Sequence, residues 1–241
     1  MNKEITFILP VYNNYESCKL GLERLFSSPK FSEISNSEFI LVDDGSDDFL
    51  KFKELAKKFK CIYLRLDKNR GKGAALALAF QHASGSYIVF TDSDMPFSIE
   101  NLLNISRLII EDHFDLIIGD RTKRMENKKK VVFLRYYLGR VFNHFSSRLL
   151  GFVSQDSQCG LKAFKGDIGR KLFKNITVNR FSIDAEILFR ASYLNLSVHS
   201  VPVEINKNGK SSISIFSDGF LMVYDIFKIK LFSIKKWSLS E

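Results

Sequence analysis

Residues 87–96, Tyr87-Ile88-Val89-Phe90-Thr91-Asp92-Ser93-Asp94-Met95-Pro96, decide the reading of this chain. A strand-type apolar run, Tyr87–Thr91, stops at two carboxylates one residue apart, and a helical pattern follows over Ile99–Ile110. The same junction recurs along the chain. Ile5–Leu9 runs into PVYNN (10–14), Phe39–Val42 into DDGSDD (43–48), Cys61–Leu66 into DKNRGKG (67–73), and Asp115–Gly119 into GDR (119–121). Helical patterns at Tyr15–Ser28, Phe49–Phe59 and Gly73–Ala83 separate these runs. Strands alternating with helices at this pitch predict an α/β class, with a mostly parallel sheet flanked by helices on both faces. Open sheets of that kind bind ligands beyond the carboxyl ends of their strands, so the four motifs DDGSDD, DKNRGKG, TDSDMP (91–96) and GDR converge on one edge.

Beyond residue 120 the rhythm changes. Residues 121–130 read as a Lys-rich loop, and 131–150 as a helix with an apolar stripe at Leu134, Leu138, Val141, Phe142, Phe145 and Leu149. Residues 156–165 read as a loop with a short strand beyond the main sheet. Ile183–Leu194 is helical, Ser197–Val201 a further strand, and Phe220–Ile234 the last helix, its apolar face Phe220, Tyr224, Phe227, Leu231 and Ile234. One domain is expected over residues 1–204, including the basic amphipathic helix 131–150, followed by a C-terminal amphipathic extension at 205–241.

The 241 residues carry a formal net charge of +9. Residues 121–150 hold nine basic side chains and one acid, Glu126, so this segment accounts for +8 and the rest of the chain for +1. Charge confined to one segment points to a local anionic partner rather than to loose polyanion binding. The apolar run at the N-terminus ends at Pro10 and is too short for a signal peptide. No uncharged apolar stretch of spanning length occurs, so no transmembrane helix is expected. Cys18, Cys61 and Cys159 are odd in number and lack metal-type spacing, and read as reduced thiols.

Asp92 and Asp94 at a strand end can turn toward one hard cation, since Mg²⁺ is usually held by one or two carboxylates plus substrate phosphates. The plain alternative is an acidic turn that caps the helix starting near Ser98. Asp43-Asp44-Gly45-Ser46 suits a tight turn whose acids accept hydrogen bonds from a base or ribose, or a helix cap for Phe49–Phe59. Asn69-Arg70-Gly71-Lys72-Gly73 is a Gly-rich turn opening a helix, a geometry that suits phosphate, although its spacing is not that of a P-loop. The 23 phenylalanines read as core.

Taken in order, PVYNN, DDGSDD, NRGKGAAL (69–76), TDSDMP (91–96), GDR, DSQCGLKAF (156–164) and FSIDAEIL (181–188) resemble glycosyltransferase family 2. Within it, the similarity is to the dolichyl-phosphate glucose and mannose synthases and their bacterial polyprenyl-phosphate relatives. The resemblance implies a GT-A fold, a Rossmann-like nucleotide-binding sheet, and a nucleotide-sugar donor. By position, it implies that Pro10, Tyr12, Asp43 and Asp44 hold the nucleoside. Arg70 and Lys72 lie where the family contacts base or diphosphate, and Asp92 and Asp94 would place Mg²⁺ or Mn²⁺ on that diphosphate. Arg121 and Arg135 would meet phosphate of donor or acceptor, and Asp156 and Gln158 would line the acceptor side. Two features depart from the family. Asn14 stands where it usually has Glu, and many relatives carry a transmembrane anchor.

The resulting expectation is transfer of a hexose, with UDP-glucose favoured as donor, to a lipid-linked phosphate with inversion. The enzyme would lie on an anionic membrane surface at its cytoplasmic face, with the basic and C-terminal helices as contact. Those helices could instead pack on the core or on a second subunit of a homo-oligomer. The alternative acceptor is a sugar hydroxyl, which needs a base, and Asp156 is the candidate. A nucleotidyltransferase would have a Gly-rich N-terminal loop where PVYNN stands. A nucleic-acid partner is not expected, because base-stacking aromatics are not interleaved with the basic residues.

Overall fold

The computed structural model describes residues 4–121, 141–152, 156–205 and 215–238. Arg135, the Lys-rich loop after Arg121 and the first half of the expected basic helix lie outside the described residues. Strand β1 (Ile5–Val11) is buried along almost its whole length, as a central strand covered on both faces must be. It pairs in parallel with β2 (Glu38–Asp43) on one side and with β4 (Tyr87–Phe90) on the other, and β2 pairs in parallel with the edge strand β3 (Ile62–Arg65). Helices α1 (Tyr15–Phe26), α2 (Phe49–Lys58), α3 (Lys72–His82) and α4 (Ile99–Glu111) make the connections, with a 3-10 turn at Pro29–Ile34. Ser98 caps α4 by accepting from the Asn101 N–H at 3.3 Å.

The second half of the sheet differs from expectation. Strand β5 (Leu116–Asp120) does not neighbour β4. Strand β6 (Lys162–Lys165) lies between them, antiparallel to both, and β7 (Val198–Pro202) closes the far edge parallel to β5. The order is therefore β3-β2-β1-β4-β6-β5-β7. Residues 156–165 are thus not beyond the main sheet but inside it. An antiparallel strand starts where its neighbours end, and Lys162 stands opposite Phe90. The turn before β6 is thereby delivered to the same edge as Asp92.

Beneath that edge the phenylalanines do pack as core. Phe80 stacks on Phe173 with ring centroids 3.9 Å apart and meets Phe164 edge-on at 5.2 Å, with Phe90 alongside. Helices α6 (Gly166–Leu172) and α7 (Ile183–Tyr193) cover this cluster. Helix α7 is not simply amphipathic. Arg190 is fully buried, donates to the carbonyls of Leu172, Lys174 and Asn175, and pairs with Glu186, which also accepts the Thr177 and Val178 N–H groups. A buried pair whose hydrogen bonds are met in this way fixes the irregular 172–178 connection.

Helix α5 (residues 141–150) and the last helix, α8 (Ile215–Ser238), complete the chain. Helix α8 buries Met222, Ile226 and Ile229, whereas Tyr224, Phe227 and Leu231, on the face read from the sequence as its apolar stripe, are exposed. The Phe227 ring meets Phe145 of α5 at 6.2 Å, and Val141 is exposed beside it, so the two helices share one apolar surface. No helix among the described residues is long and apolar enough to cross a membrane.

Candidate active site

The order of the sheet reverses at β1, whose neighbours β2 and β4 lead in opposite directions. The crevice beyond the carboxyl ends of β1 and β4 is therefore the expected ligand site. After β1, Tyr12 is half exposed, and Asn13 makes a reciprocal pair with Asp47 through its side-chain amide while its N–H donates to Ser46. Pro10 lies within β1, in register with Val42. After β2, Asp43 is fully buried and accepts from the Ser46 N–H at 2.8 Å and from the Tyr63 hydroxyl at 2.6 Å. Asp44 accepts from the N–H groups of Arg70 and Gly71, both at 2.8 Å. Asp43 thus ties its own turn to β3, and Asp44 braces the DDGSDD loop against NRGKG. Burial raises Asp44, and those two N–H groups oppose the rise.

Gly71 has φ +103°, and a Cβ there would lie 2.5 Å from the Asn179 carbonyl oxygen, so only glycine fits this turn. The turn opens α3, whose first residue, Lys72, sends its ammonium to Asp92 Oδ1 at 2.6 Å. The Arg70 side chain is exposed at the rim. Burial works against the Lys72 charge, yet the Asp92 and Asp184 carboxylates outweigh it and hold the ammonium above its ordinary value.

After β4, Asp94 is raised, first by burial and then by the charge of Asp92. A carboxylate raised by burial and by a neighbouring carboxylate marks negative charge that a cation would relieve. The donor set is all oxygen, and no third His, Cys, Asp or Glu completes a cluster among the described residues. Two carboxylates without a protein cage fit Mg²⁺ or Mn²⁺, whose other positions go to substrate phosphate and water. The loop is held from α1, where Arg24 donates to the carbonyls of Asp94 at 2.6 Å and Met95 at 3.4 Å.

After β5, Arg121 grips Asp156 with both ends of its guanidinium, at 2.6 and 2.7 Å, and adds its backbone N–H at 3.1 Å. Burial raises Asp156, but Arg121 outweighs it and holds the carboxyl below its ordinary value. Gln158 is half-buried in the same turn. A Cβ on Gly160 would overlap Asp92 Oδ2, so the turn touches the carboxylate directly. Burial pushes the Cys159 thiol in this turn up to about 12, as it does Cys18 beneath the Asp92–Asp94 loop. Neither is a thiolate at neutral pH.

The structure therefore brings Pro10, Tyr12, Asp43, Asp44, Arg70, Lys72, Asp92, Asp94, Arg121, Asp156 and Gln158 to one edge. Sequence reasoning missed Arg24, and it gave no role to Lys162 or Asp184. Lys162 is a lone cation in the apolar run Leu161–Phe164, a signal for a buried, paired charge.

A model of glycosyl transferase family 2 matches residues 6–173. A dolichyl-phosphate beta-glucosyltransferase of Dictyostelium discoideum is 27% identical over 95% of this chain and 74% of its own length. One of Trichomonas vaginalis is 30% identical over 98% and 74%. Among solved structures, glucosyl-3-phosphoglycerate synthase from Mycobacterium tuberculosis, in complex with Mn²⁺, UDP and glucosyl-3-phosphoglycerate, superimposes with a TM-score of 0.67. It is 14% identical, and the match covers 95% of this chain and 79% of that one, a likeness of fold.

Proposed function

The chain belongs to glycosyl transferase family 2, and from that premise we propose that it moves a hexose from a nucleotide sugar, UDP-glucose, to a polyprenyl or dolichyl phosphate with inversion. The observation that carries the acceptor reading is the Arg121–Asp156 pair beside Asp92. A guanidinium aimed by a buried carboxylate is suited to a phosphate. The similarity to dolichyl-phosphate beta-glucosyltransferases supports the same acceptor and the glucosyl donor.

In this reading a phosphate oxygen of the acceptor attacks the anomeric carbon. The bond to the nucleoside diphosphate breaks on the opposite face, and its electron pair leaves with the diphosphate. The acceptor phosphate is ionised near pH 7, so no proton has to be removed, and positioning carries much of the rate. Asp92 and Asp94 would hold Mg²⁺ or Mn²⁺, which when bound would supply positive charge where the leaving diphosphate develops negative charge. Lys72 stands ready to meet the same phosphates, Tyr12 and Arg70 flank the nucleoside, and Asp43 and Asp44 keep the loops that shape its pocket. Arg121 orients the acceptor. Asp156, with both oxygens committed, orients Arg121 rather than acting as a base toward a sugar hydroxyl.

The acceptor is a lipid, and the exposed apolar surface of α5 and α8 gives the enzyme a place to lie on an anionic membrane, at its cytoplasmic face. The basic residues of 121–150 are in the same part of the chain. The test is a donor screen. UDP- and GDP-sugars are incubated with Mg²⁺ or Mn²⁺ and a short polyprenyl phosphate, and the product is identified by mass. A hexosyl polyprenyl phosphate formed from UDP-glucose is expected. Hydrolysis of donor without lipid product, or transfer to a sugar hydroxyl alone, would overturn the acceptor reading.

A further inference from the structure

A further buried ion pair joins β6 to α7. Lys162 is fully buried, and its ammonium donates to Asp184 Oδ1 at 2.5 Å and to the Cys159 carbonyl at 2.7 Å. Asp184 is 7% exposed and sits in the first turn of α7, where the helix macrodipole favours an acid. The Lys162 and Lys72 ammonium groups lie 5.3 and 5.5 Å from the centroid of one ring, Phe90. Asp184 is also among the carboxylates that hold Lys72 charged.

A buried ion pair is a poor stabiliser, since removing two charges from water offsets most of their attraction and well-packed apolar residues often serve as well or better. What this pair does supply is position. The Cys159 carbonyl held by Lys162 belongs to the peptide that leads into Gly160, and Gly160 is the residue packed against Asp92. The same turn is closed by the Cys159 N–H on the Asp156 carbonyl at 3.3 Å, and Asp156 in turn holds Arg121. One buried ammonium therefore fixes a turn that touches the cation-type carboxylate on one side and the acceptor-side arginine on the other.

We propose that Lys162 and Asp184 are a positioning pair that sets the donor and acceptor halves of the site relative to each other, by pinning the Asp156–Leu161 turn against Asp92. The inference rests on the functional reading above. Its test is the double variant Lys162→Met with Asp184→Leu, which removes both charges and leaves none unpaired. Thermal unfolding, binding of Mn²⁺ with UDP by calorimetry, and kcat and KM for donor and acceptor are measured. The expected result is a Tm within a few degrees of wild type, weaker Mn²⁺–UDP binding, and a loss in kcat/KM of about 100-fold, the scale of a ~1 Å misplacement. A double variant with wild-type Tm, binding and turnover would overturn the proposal. Should the double variant not fold, Asp184→Asn decides. A raised KM for both substrates in folded protein supports the pair, and unchanged kinetics overturn it. Wild-type protein that binds no UDP with Mn²⁺ would instead mark failure of the functional reading itself.

Discussion

Replacing Asp156 by Asn separates two chemistries that the sequence left open. The carboxylate accepts three hydrogen bonds from Arg121, two of them from the guanidinium at 2.6 and 2.7 Å. An amide of the same size keeps one neutral acceptor and turns its NH₂ toward a cation. Hydrogen bonds to charged groups contribute about 1.5–3 kcal/mol each, and neutral ones about 0.5–1.5. The Arg121 side chain is 33% exposed, so water recovers part of the loss. A net loss of about 2 kcal/mol in the orientation of Arg121 corresponds to roughly 30-fold. If Asp156 aims Arg121 at the acceptor phosphate, that loss falls on KM for polyprenyl phosphate, measured at saturating donor. The kcat–pH profile keeps its shape. A base would behave otherwise, because general base catalysis contributes about 10²–10⁴-fold to the chemical step. A fall in kcat of that size at unchanged acceptor KM, with loss of the acid limb of the profile, would refute the positioning argument.

Gly160→Ala should weaken Mn²⁺ binding in the presence of UDP more than it lowers Tm, because its methyl group can only be housed by moving Asp92; calorimetry and thermal unfolding on one sample check the order of the two effects. Phe227→Asp with Leu231→Asp should abolish retention on anionic liposomes at low salt and leave Tm unchanged, since these side chains are 49% and 68% exposed; retention equal to wild type would reject α8 as the contact. Arg24→Ala should raise the Mn²⁺ concentration needed for half-maximal transfer, with Arg24→Lys restoring part of it, because Arg24 holds the Asp94 and Met95 carbonyls. The fold itself should respond to acid through Asp115, whose carboxyl is held below its ordinary value by Lys165 and Ser197 against the opposing effect of burial. A depressed carboxyl stabilises the fold above its unfolded value of about 3.9 and loses that contribution as pH falls through the folded value. The gap in urea stability between wild type and Asp115→Asn should therefore be full at pH 5 and close below about pH 4.

The strands and the edge they share were legible because parallel strands buried on both faces leave an unmistakable mark. Ile5–Leu9, Phe39–Val42 and Tyr87–Thr91 are continuous apolar runs that end in polar turns, and each became a strand ending at the site. Asp92 and Asp94 were legible for the same reason, since their place in the fold follows from the run before them. The partners of the site acids were not. Asp43 and Asp44 read equally well as nucleoside contacts or as turn residues, and only the fold shows their oxygens on Ser46, Tyr63, Arg70 and Gly71. Local pattern carries no record of which distant N–H will arrive.

Strand β6 shows why the missing part matters for chemistry. Four residues, Lys162–Lys165, are too short to declare a direction, and nothing in their periodicity separates an outer hairpin from insertion between two parallel strands. Direction is decided by connection. After β5 the chain is already at the carboxyl edge, so a strand entered from α5 on that side runs back down and pairs antiparallel with both β4 and β5. The consequence is that its leading turn, not its trailing one, faces the ligand. A parallel strand at that place would have put Asp156 and Gly160 at the opposite edge of the sheet from Asp92. The antiparallel reversal is what brings Asp156 to Arg121 and Gly160 to the DSD turn, and the buried Lys162–Asp184 pair stands where β6 starts.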